Sequence, residues 1–403
     1  MTSGASGVNQ VLEVGLVAGE SSGDTLGAAL VEALRERVGP VRCYGVCGPK
    51  MKAAGVEQWA DSHELAVMGP IEPLKHLPRL WRLRRRIQDA ILRARPHVFI
   101  GIDAPAFNLG LESRLRAGGL ATVQYVSPQV WAWRQGRVRG IARACDLVLC
   151  LFPFESGFYA RHGVRAAFVG HPLADRFPLR PDRAAARIGL ALPDTGTVVA
   201  LLPGSRLNEV KQLGEDFLRA ALWLRERRPG TQFVAPMASA GVRAVFEAQR
   251  AEVAPDLALR LLDGGSQAAL AASDAVLVAS GTASLETLLS KRPMVVAYRF
   301  GALTAFLVRS LRLFKLQHFS QPNLLTSRPL VPEFLQEAVT GEALGAALLG
   351  QLTDVGRHDE LEREFLAVHE TLRVGGAGRA ADAVLALLRD RGIWAEAPRP
   401  ERP

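Results

Sequence analysis

Continuous apolar runs, rather than alternating ones, punctuate the first half of the chain: VLEVGLVA (11–18), VRCYGV (41–46), HVFIGID (97–103), LATVQYV (120–126), DLVLCL (146–151) and AAFVG (166–170). A strand with one wet face alternates polar and apolar residues, whereas a strand buried on both faces does not. These runs therefore predict a parallel sheet covered by helices. The rhythm restarts with TVVALLPGS (197–205), TQFVAP (231–236), LRLLD (259–263), DAVLVAS (274–280) and PMVVAY (293–298). The pattern predicts two doubly wound α/β domains. Between them HPLADRFPLRP (171–181) carries three prolines and reads as a short, stiff linker. Beyond Gly341 only helical spacing remains, as in Leu361, Phe365, Val368 and Leu372, then Ala381, Val384 and Leu388. The expected division is 1–173, 174–365 and a helical 366–403 that is free to return to the first domain before a loose tail.

At 403 residues the chain exceeds one ordinary core, and 48% hydrophobic with 22% charged residues is a globular balance. Composition changes the picture mainly through charge. The net +9 points to an anionic partner: nucleic acid, phospholipid or a phosphorylated substrate. Much of the excess lies in Lys75–Arg95, where eight Lys and Arg face Asp89 alone and Leu80, Leu83, Ile87 and Ile91 recur at helical spacing. That is an amphipathic basic helix, fit either for an anionic membrane surface or for a core with a solvated basic face. A second stretch, 301–319, has no acid and carries Arg309, Arg312 and Lys315. The four cysteines, Cys43, Cys47, Cys145 and Cys150, make no disulfide framework or zinc-ligand spacing and read as core residues. No apolar run reaches the roughly 18 to 20 residues of a membrane span. No basic flank precedes the strand at 11–18, so a signal peptide is not expected either. The expected location is the cytoplasm, free or adsorbed to a surface.

In open α/β sheets ligands bind outside the carboxyl ends of the strands, where helix-start amides point outward. Three loops fit. GESSGD (Gly19–Asp24) has glycines for close backbone approach and offers Ser21 and Ser22 as caps and donors, although a capped turn alone would look the same. PGSR (Pro203–Arg206) adds a guanidinium fork, with Asn208 able to cap the next helix. SGTASLE (Ser280–Glu286) leaves small residues at a helix start, and Glu286 could accept ribose hydroxyls or simply favour the helix dipole. Two such loops in one domain argue for a nucleotide diphosphate. Asp103, at the end of HVFIGID, is placed either as a general base at the sheet edge or as the cap of the helix that FNLGLESRLR begins. Trp131 and Trp133, ahead of Arg134, form an apolar wall or loop packing. His171 is a phosphate or ribose donor, or a hinge residue.

Further strings occur with these loops: GPKM (48–51), VMG (67–69), GIDAPAFN (101–108), YVSPQVWAWR (125–134), FPFE (152–155), FVGHPLAD (168–175), PNLL (322–325) and VPEFLQ (331–336). Together they resemble the bacterial lipid-A-disaccharide synthase family over nearly the whole chain. The resemblance implies a GT-B fold, two Rossmann-like domains facing a cleft, with donor UDP-sugar bound mainly by the second. It implies transfer of UDP-activated 2,3-diacylglucosamine to 2,3-diacylglucosamine 1-phosphate, with inversion and with neither metal nor cofactor. It implies Asp103 as base, Glu20 near the reacting groups and Arg206 on the departing diphosphate. It places Gly204, Ser205, Ser280, Gly281, Thr282, Ser284, Glu286, Asn323 and Glu333 around UDP. It places Ser21, Ser22, Gly23, Asp24, Asn108, Ser127, Trp131, Trp133, Arg134 and His171 on the acceptor side. The expected partners are these two sugars and an anionic membrane surface on the inner face of the cytoplasmic membrane, without nucleic acid. A homodimer is left open. Ala106 departs from the family, which has a second Asp there. Rival readings are another GT-B enzyme, such as a UDP-N-acetylglucosamine epimerase, or a basic nucleic-acid-binding protein.

Overall fold

A computed structural model describes residues 11–66, 73–131, 135–300 and 318–395. The chain forms two compact units, one of residues 1–172 with 372–403, the other Leu173–Thr371. The first unit holds β1 (Leu12–Ala18), β2 (Val41–Cys47), β3 (Glu57–Asp61), β4 (Val98–Ile102), β5 (Ala121–Tyr125), β6 (Leu147–Cys150) and β7 (Ala166–Phe168). They lie in the order β3-β2-β1-β4-β5-β6-β7, with every described pairing parallel. The second unit holds β8 (Val198–Leu202), β9 (Gln232–Met237), β10 (Leu259–Asp263), β11 (Ala275–Ala279), β12 (Met294–Tyr298) and β13 (Glu333–Leu335). Their order is β10-β9-β8-β11-β12-β13, again parallel. β4, β5, β6, β8 and β11 are buried along their whole length, as strands covered by helices on both faces must be. All four cysteines are buried and free.

Each strand order reverses once, between β1 and β4 and between β8 and β11. There the crossover helices leave toward opposite faces and open a crevice at the carboxyl ends. The two crevices are the natural places for ligands.

The basic helix spans Pro73–Ala94. Leu83, Ile87 and Ile91 pack with Phe99, Leu111 and Leu115 in the core of the first unit, each contributing about 1.5–3 kcal/mol of burial. The apolar stripe is thus core, and the face left to solvent carries Arg79, Arg82, Arg85, Arg86 and Trp81, the last 52% exposed. The stretch with Arg309, Arg312 and Lys315 lies outside the described residues.

Three local expectations differ from the structure. The proline-rich 171–181 is not purely a linker, because Pro172–Arg176 is a short helix started by its own N1 proline. Asn208 does not cap: the helix runs Leu207–Arg227, so Asn208 is inside it and Arg206 holds the cap position. Strands β3 and β13 add to those the apolar runs predict, since β3 (EQWAD) is a largely polar edge strand and β13 (EFL) is only three residues long. The last long helix, Gly376–Asp390, packs in the first unit, where Arg37 pairs with Asp382 and Arg391 bonds Asp146 at 2.7 Å.

Candidate active site

At the β1/β4 reversal Ala18 and Ile102 are register partners, so the loops after them lie side by side. A Cβ at Gly19 would sit 2.5 Å from that of Ala104, and only glycine permits this approach. Asp103 and Ala104 both adopt left-handed angles, φ 54° and 41°, and Val126, at the end of neighbouring β5, has φ 76°. Such angles are costly for a non-glycine residue and worst for a β-branched one, and strain of this kind gathers at functional sites. The turn lifts the half-buried Asp103 side chain off the strand end. Burial pushes its carboxyl above the ordinary carboxylate range, with the Ala104 amide pulling it back. Asp103 is not the cap of the next helix; Ala104 holds that position before Pro105–Ala117.

The neighbours sort into those that face outward and those that hold the turn. Glu20, Ser21 and Ser22 are exposed at the start of helix Ser21–Val38, and neither Glu20 at the cap position nor a serine caps it. Gly23 is buried against Ile102. Asp24 is 2% exposed, and its oxygens accept from the Gly48, Lys50 and Met51 amides at 2.8, 2.8 and 3.0 Å. It therefore clasps the GPKM loop. Asn108 is fully buried, and its amide donates to the Asp103 carbonyl at 2.9 Å. Gln124 does the same at 3.1 Å and also reaches Val126 O. Asn108 thus supports the turn from inside rather than presenting a group to a ligand.

Along the same edge Ser127 donates to Tyr159 Oη at 3.2 Å. Trp131 donates its indole N–H to Glu155 at 3.1 Å and meets Phe154 edge-on; Phe154 stacks on Phe152, which in turn faces His171. Burial raises the Glu155 carboxyl to about 7 despite hydrogen bonds from the Phe152 amide and the Trp131 indole. Burial also lowers His171 to about 4, so it is neutral near pH 7 and donates through one nitrogen only. Trp133 and Arg134 lie outside the described residues. The string FPFE carried the signal for Glu155: a proline at the first helical position followed by an acid two residues on, placed to reach back to the cap amide.

In the second unit Leu202 and Val278 are register partners, which sets PGSR and SGTASLE next to each other at the reversal. Gly204 (φ 137°) and Gly281 (φ 152°) take angles open to glycine, leaving Ser205, Arg206, Gly281 and Thr282 exposed. The Ser205 and Arg206 amides donate to Glu209 Oε2 at 3.0 and 3.3 Å, and the guanidinium meets Oε1 at 2.9 Å. A carboxylate of the chain itself thus sits on these amides and on Arg206, a fitting test of the loop's taste for anions. Burial raises the Glu286 carboxyl, opposed by the Ser266 hydroxyl and Arg176. Ser280 continues the ladder to Ala297. Ser284 is buried and donates to Gly281 O at 2.7 Å, tightening the turn. Asn323 bonds Leu330 and Val331 through both ends of its amide, and Glu333 accepts from the Phe319 and Ser320 amides. These last three residues shape the edge while their polar atoms are engaged within the protein.

Two parallel, doubly wound units, each with its reversal crevice, make up the GT-B fold. A solved structure of UDP-GlcNAc 2-epimerase from Neisseria meningitidis superposes with TM-score 0.57 at 11% identity, covering 94% of this chain and 100% of that one. The calicheamicin glycosyltransferase CalG4 does so with TM-score 0.56 at 18% identity, covering 95% and 99%. At the level of sequence, residues 14–384 match the family model described as lipid-A-disaccharide synthetase. The lipid-A-disaccharide synthase of Alkalilimnicola ehrlichii is 51% identical over 94% of this chain and 100% of its own length. That of Pseudomonas aeruginosa is 53% identical over 94% and 99%. The chain belongs to the lipid-A-disaccharide synthase family, and it is a glycosyltransferase.

Proposed function

We propose that the enzyme joins UDP-2,3-diacylglucosamine to 2,3-diacylglucosamine 1-phosphate with inversion, giving the disaccharide 1-phosphate and UDP. The observation that carries this reading is likeness at about half identity over nearly the whole of relatives that bear this name. The Asp103 carboxylate takes the proton of the acceptor's 6-hydroxyl, and the oxygen attacks the donor's anomeric carbon as its bond to UDP breaks on the opposite face. A carboxylate raised by burial is the better base. Charge growing on the diphosphate is met by Arg206 and by the helix-start amides around Ser205 and Thr282, without need of a metal. Glu286 accepts the ribose hydroxyls. Glu20, Ser21 and Ser22 border the acceptor, with the Trp131 and Phe154 rings as its apolar wall.

Both substrates are acylated, and the outward face of helix Pro73–Ala94 supports capture at an anionic membrane: exposed Trp81 stands one helical turn from Arg85, among Arg79, Arg82 and Arg86. Purified protein incubated with the two sugars should yield the disaccharide by mass spectrometry and a β-linkage by NMR. UDP-dependent epimerisation without coupling would sink the reading. Sedimentation with anionic vesicles, weakened by Arg85→Glu and absent with zwitterionic ones, tests the membrane part.

A further inference from the structure

Beneath the Asp103 turn lie three side chains with 0% exposure, Asn108, Glu112 and Gln124. Each has one oxygen, Asn108 Oδ1, Glu112 Oε1 and Gln124 Oε1, that no protein donor reaches with hydrogen-bond geometry. They are neighbours. Gln124 is the register partner of Gly101 and shares its face of the sheet. A Cβ at Gly101 would lie 2.3 Å from Glu112 Oε1 and 2.8 Å from Asn108 Cβ and Cγ, so glycine there makes room for both. The amide nitrogens of Asn108 and Gln124 meet on one atom, the Asp103 carbonyl oxygen.

Three buried acceptors gathered beneath one turn without a donor are unfavourable, because each has given up water and gained no partner. An ionised Glu112 would add a buried charge to them, which is worse. A proton on Glu112 reverses this by turning one acceptor into a donor. Its place is determined: the Cys145 thiol donates to Oε2 at 3.1 Å, which leaves Oε1 for the proton. We propose that Glu112 is a protonated positioning residue whose Oε1–H donates into the Asn108/Gln124 pair, so that their amides hold the strained Asp103 turn in its working geometry. Glu112 touches no substrate and acts through the two amides. This rests on the reading of Asp103 as the base.

The electrostatics agree. Burial raises the Glu112 carboxyl to about 8, with the Cys145 thiol opposing and the Gly101 amide, close by but short of hydrogen-bond geometry to Oε1, opposing less. Beyond Cys145 stand Arg116 and Asp146, an ion pair of opposite charges at 2.9 Å. Because the folded value lies above the unfolded one, the associated stability is complete at acid pH. It is lost as pH rises through about 8.

The test compares wild type, Glu112→Gln and Glu112→Ala. Glutamine keeps a donor and an acceptor but cannot ionise. It should keep kcat within about threefold at pH 7 and abolish two effects that wild type shows, a kcat decline centred near pH 8 and a fall in Tm spread from the ordinary carboxyl value of 4.5 up to about 8. Alanine should lower kcat at least about tenfold while KM moves less than about twofold, since the substrate contacts are intact. An alkaline decline that persists in Glu112→Gln, or full kcat in Glu112→Ala, overturns the proposal. Should alanine fail to fold, the glutamine comparison decides alone. The Tm arm needs no substrate, so an enzyme inactive on the two sugars would refute the Asp103 reading while the protonation of Glu112 was still being read.

Discussion

At the carboxyl edge of β1 and β4 non-glycine residues take the unfavourable angles, and buried side chains hold them there; at the edge of β8 and β11 glycines take such angles and the amides are left facing out. Asp103, Ala104 and Val126 carry the strain on the first edge, with Asn108 and Gln124 gripping the Asp103 carbonyl. Gly204 and Gly281 adopt their angles on the second, where an exposed Arg206 leans on Glu209. The difference fits the chemistry proposed for each. A proton acceptor must be aimed, which calls for a turn determined from below. An anion cradle needs donors and charge that can exchange one acid for another, which calls for open amides and a mobile guanidinium.

The comparison breaks most completely at Asp103. Asp103→Asn should cut kcat by about 10²–10⁴-fold, the range lost with a general base, and leave UDP affinity unchanged by calorimetry. In wild type the acid limb of kcat/KM should lie above the usual aspartate range, because the base must be ionised and burial raises it. Equal loss of UDP binding in this variant would mean that the first edge does not work separately from the second. Arg206→Ala is the opposite case. Removing a charged donor from a diphosphate costs about 1.5–3 kcal/mol, roughly 10- to 150-fold, and here UDP affinity should fall together with kcat/KM.

Gly19→Ala probes how much the aim matters. The new methyl would stand 2.5 Å from Ala104 Cβ, so the Asp103 turn must shift. Overpacking of this kind costs about 1–3 kcal/mol of stability. A shift of the base should lower kcat by about tenfold with UDP affinity kept. A fall in Tm with kcat intact would show that the turn tolerates displacement.

Much of this was legible in the sequence because it depends on runs and glycines. Unbroken apolar runs marked eleven of the thirteen strands of the described residues, and the loops after β1, β4, β8 and β11 begin where those runs end. What stayed hidden is what only the sheet order brings together. Nothing in the spacing of Gln124 and Glu112 says that they share a face with Gly101, since register joins residues 23 positions apart. The same limit grouped Asp24, Asn108, Asn323 and Glu333 with the ligand residues, without showing that the Asp24 and Glu333 carboxylates, the Asn108 nitrogen and both ends of the Asn323 amide bond backbone. A polar residue beside a site string reads alike whether it faces the ligand or braces the loop, and only burial separates the two. The basic helix shows the same ambiguity resolved by packing: Leu83, Ile87 and Ile91 face the core and the arginines face out.

The smallest expected effect sharpens the comparison from the second edge. Glu209 accepts from the same two amides and the same guanidinium that a diphosphate would take, so the loop binds one acid at a time. Arriving diphosphate must displace a carboxylate that is held only three residues away. Glu209→Gln removes the charge but keeps a side chain able to reach back to the cap amide, so the helix start should survive with a Tm close to wild type. The repulsion relieved is that of a half-buried carboxylate already paired with Arg206, of the order of 0.3–1 kcal/mol. UDP should therefore bind about two- to fivefold more tightly, with the gain shrinking as salt is raised. Weaker binding in the glutamine variant would show that Glu209 orients Arg206 for the nucleotide instead of competing with it, and the second edge would then be pre-aimed in the manner of the first.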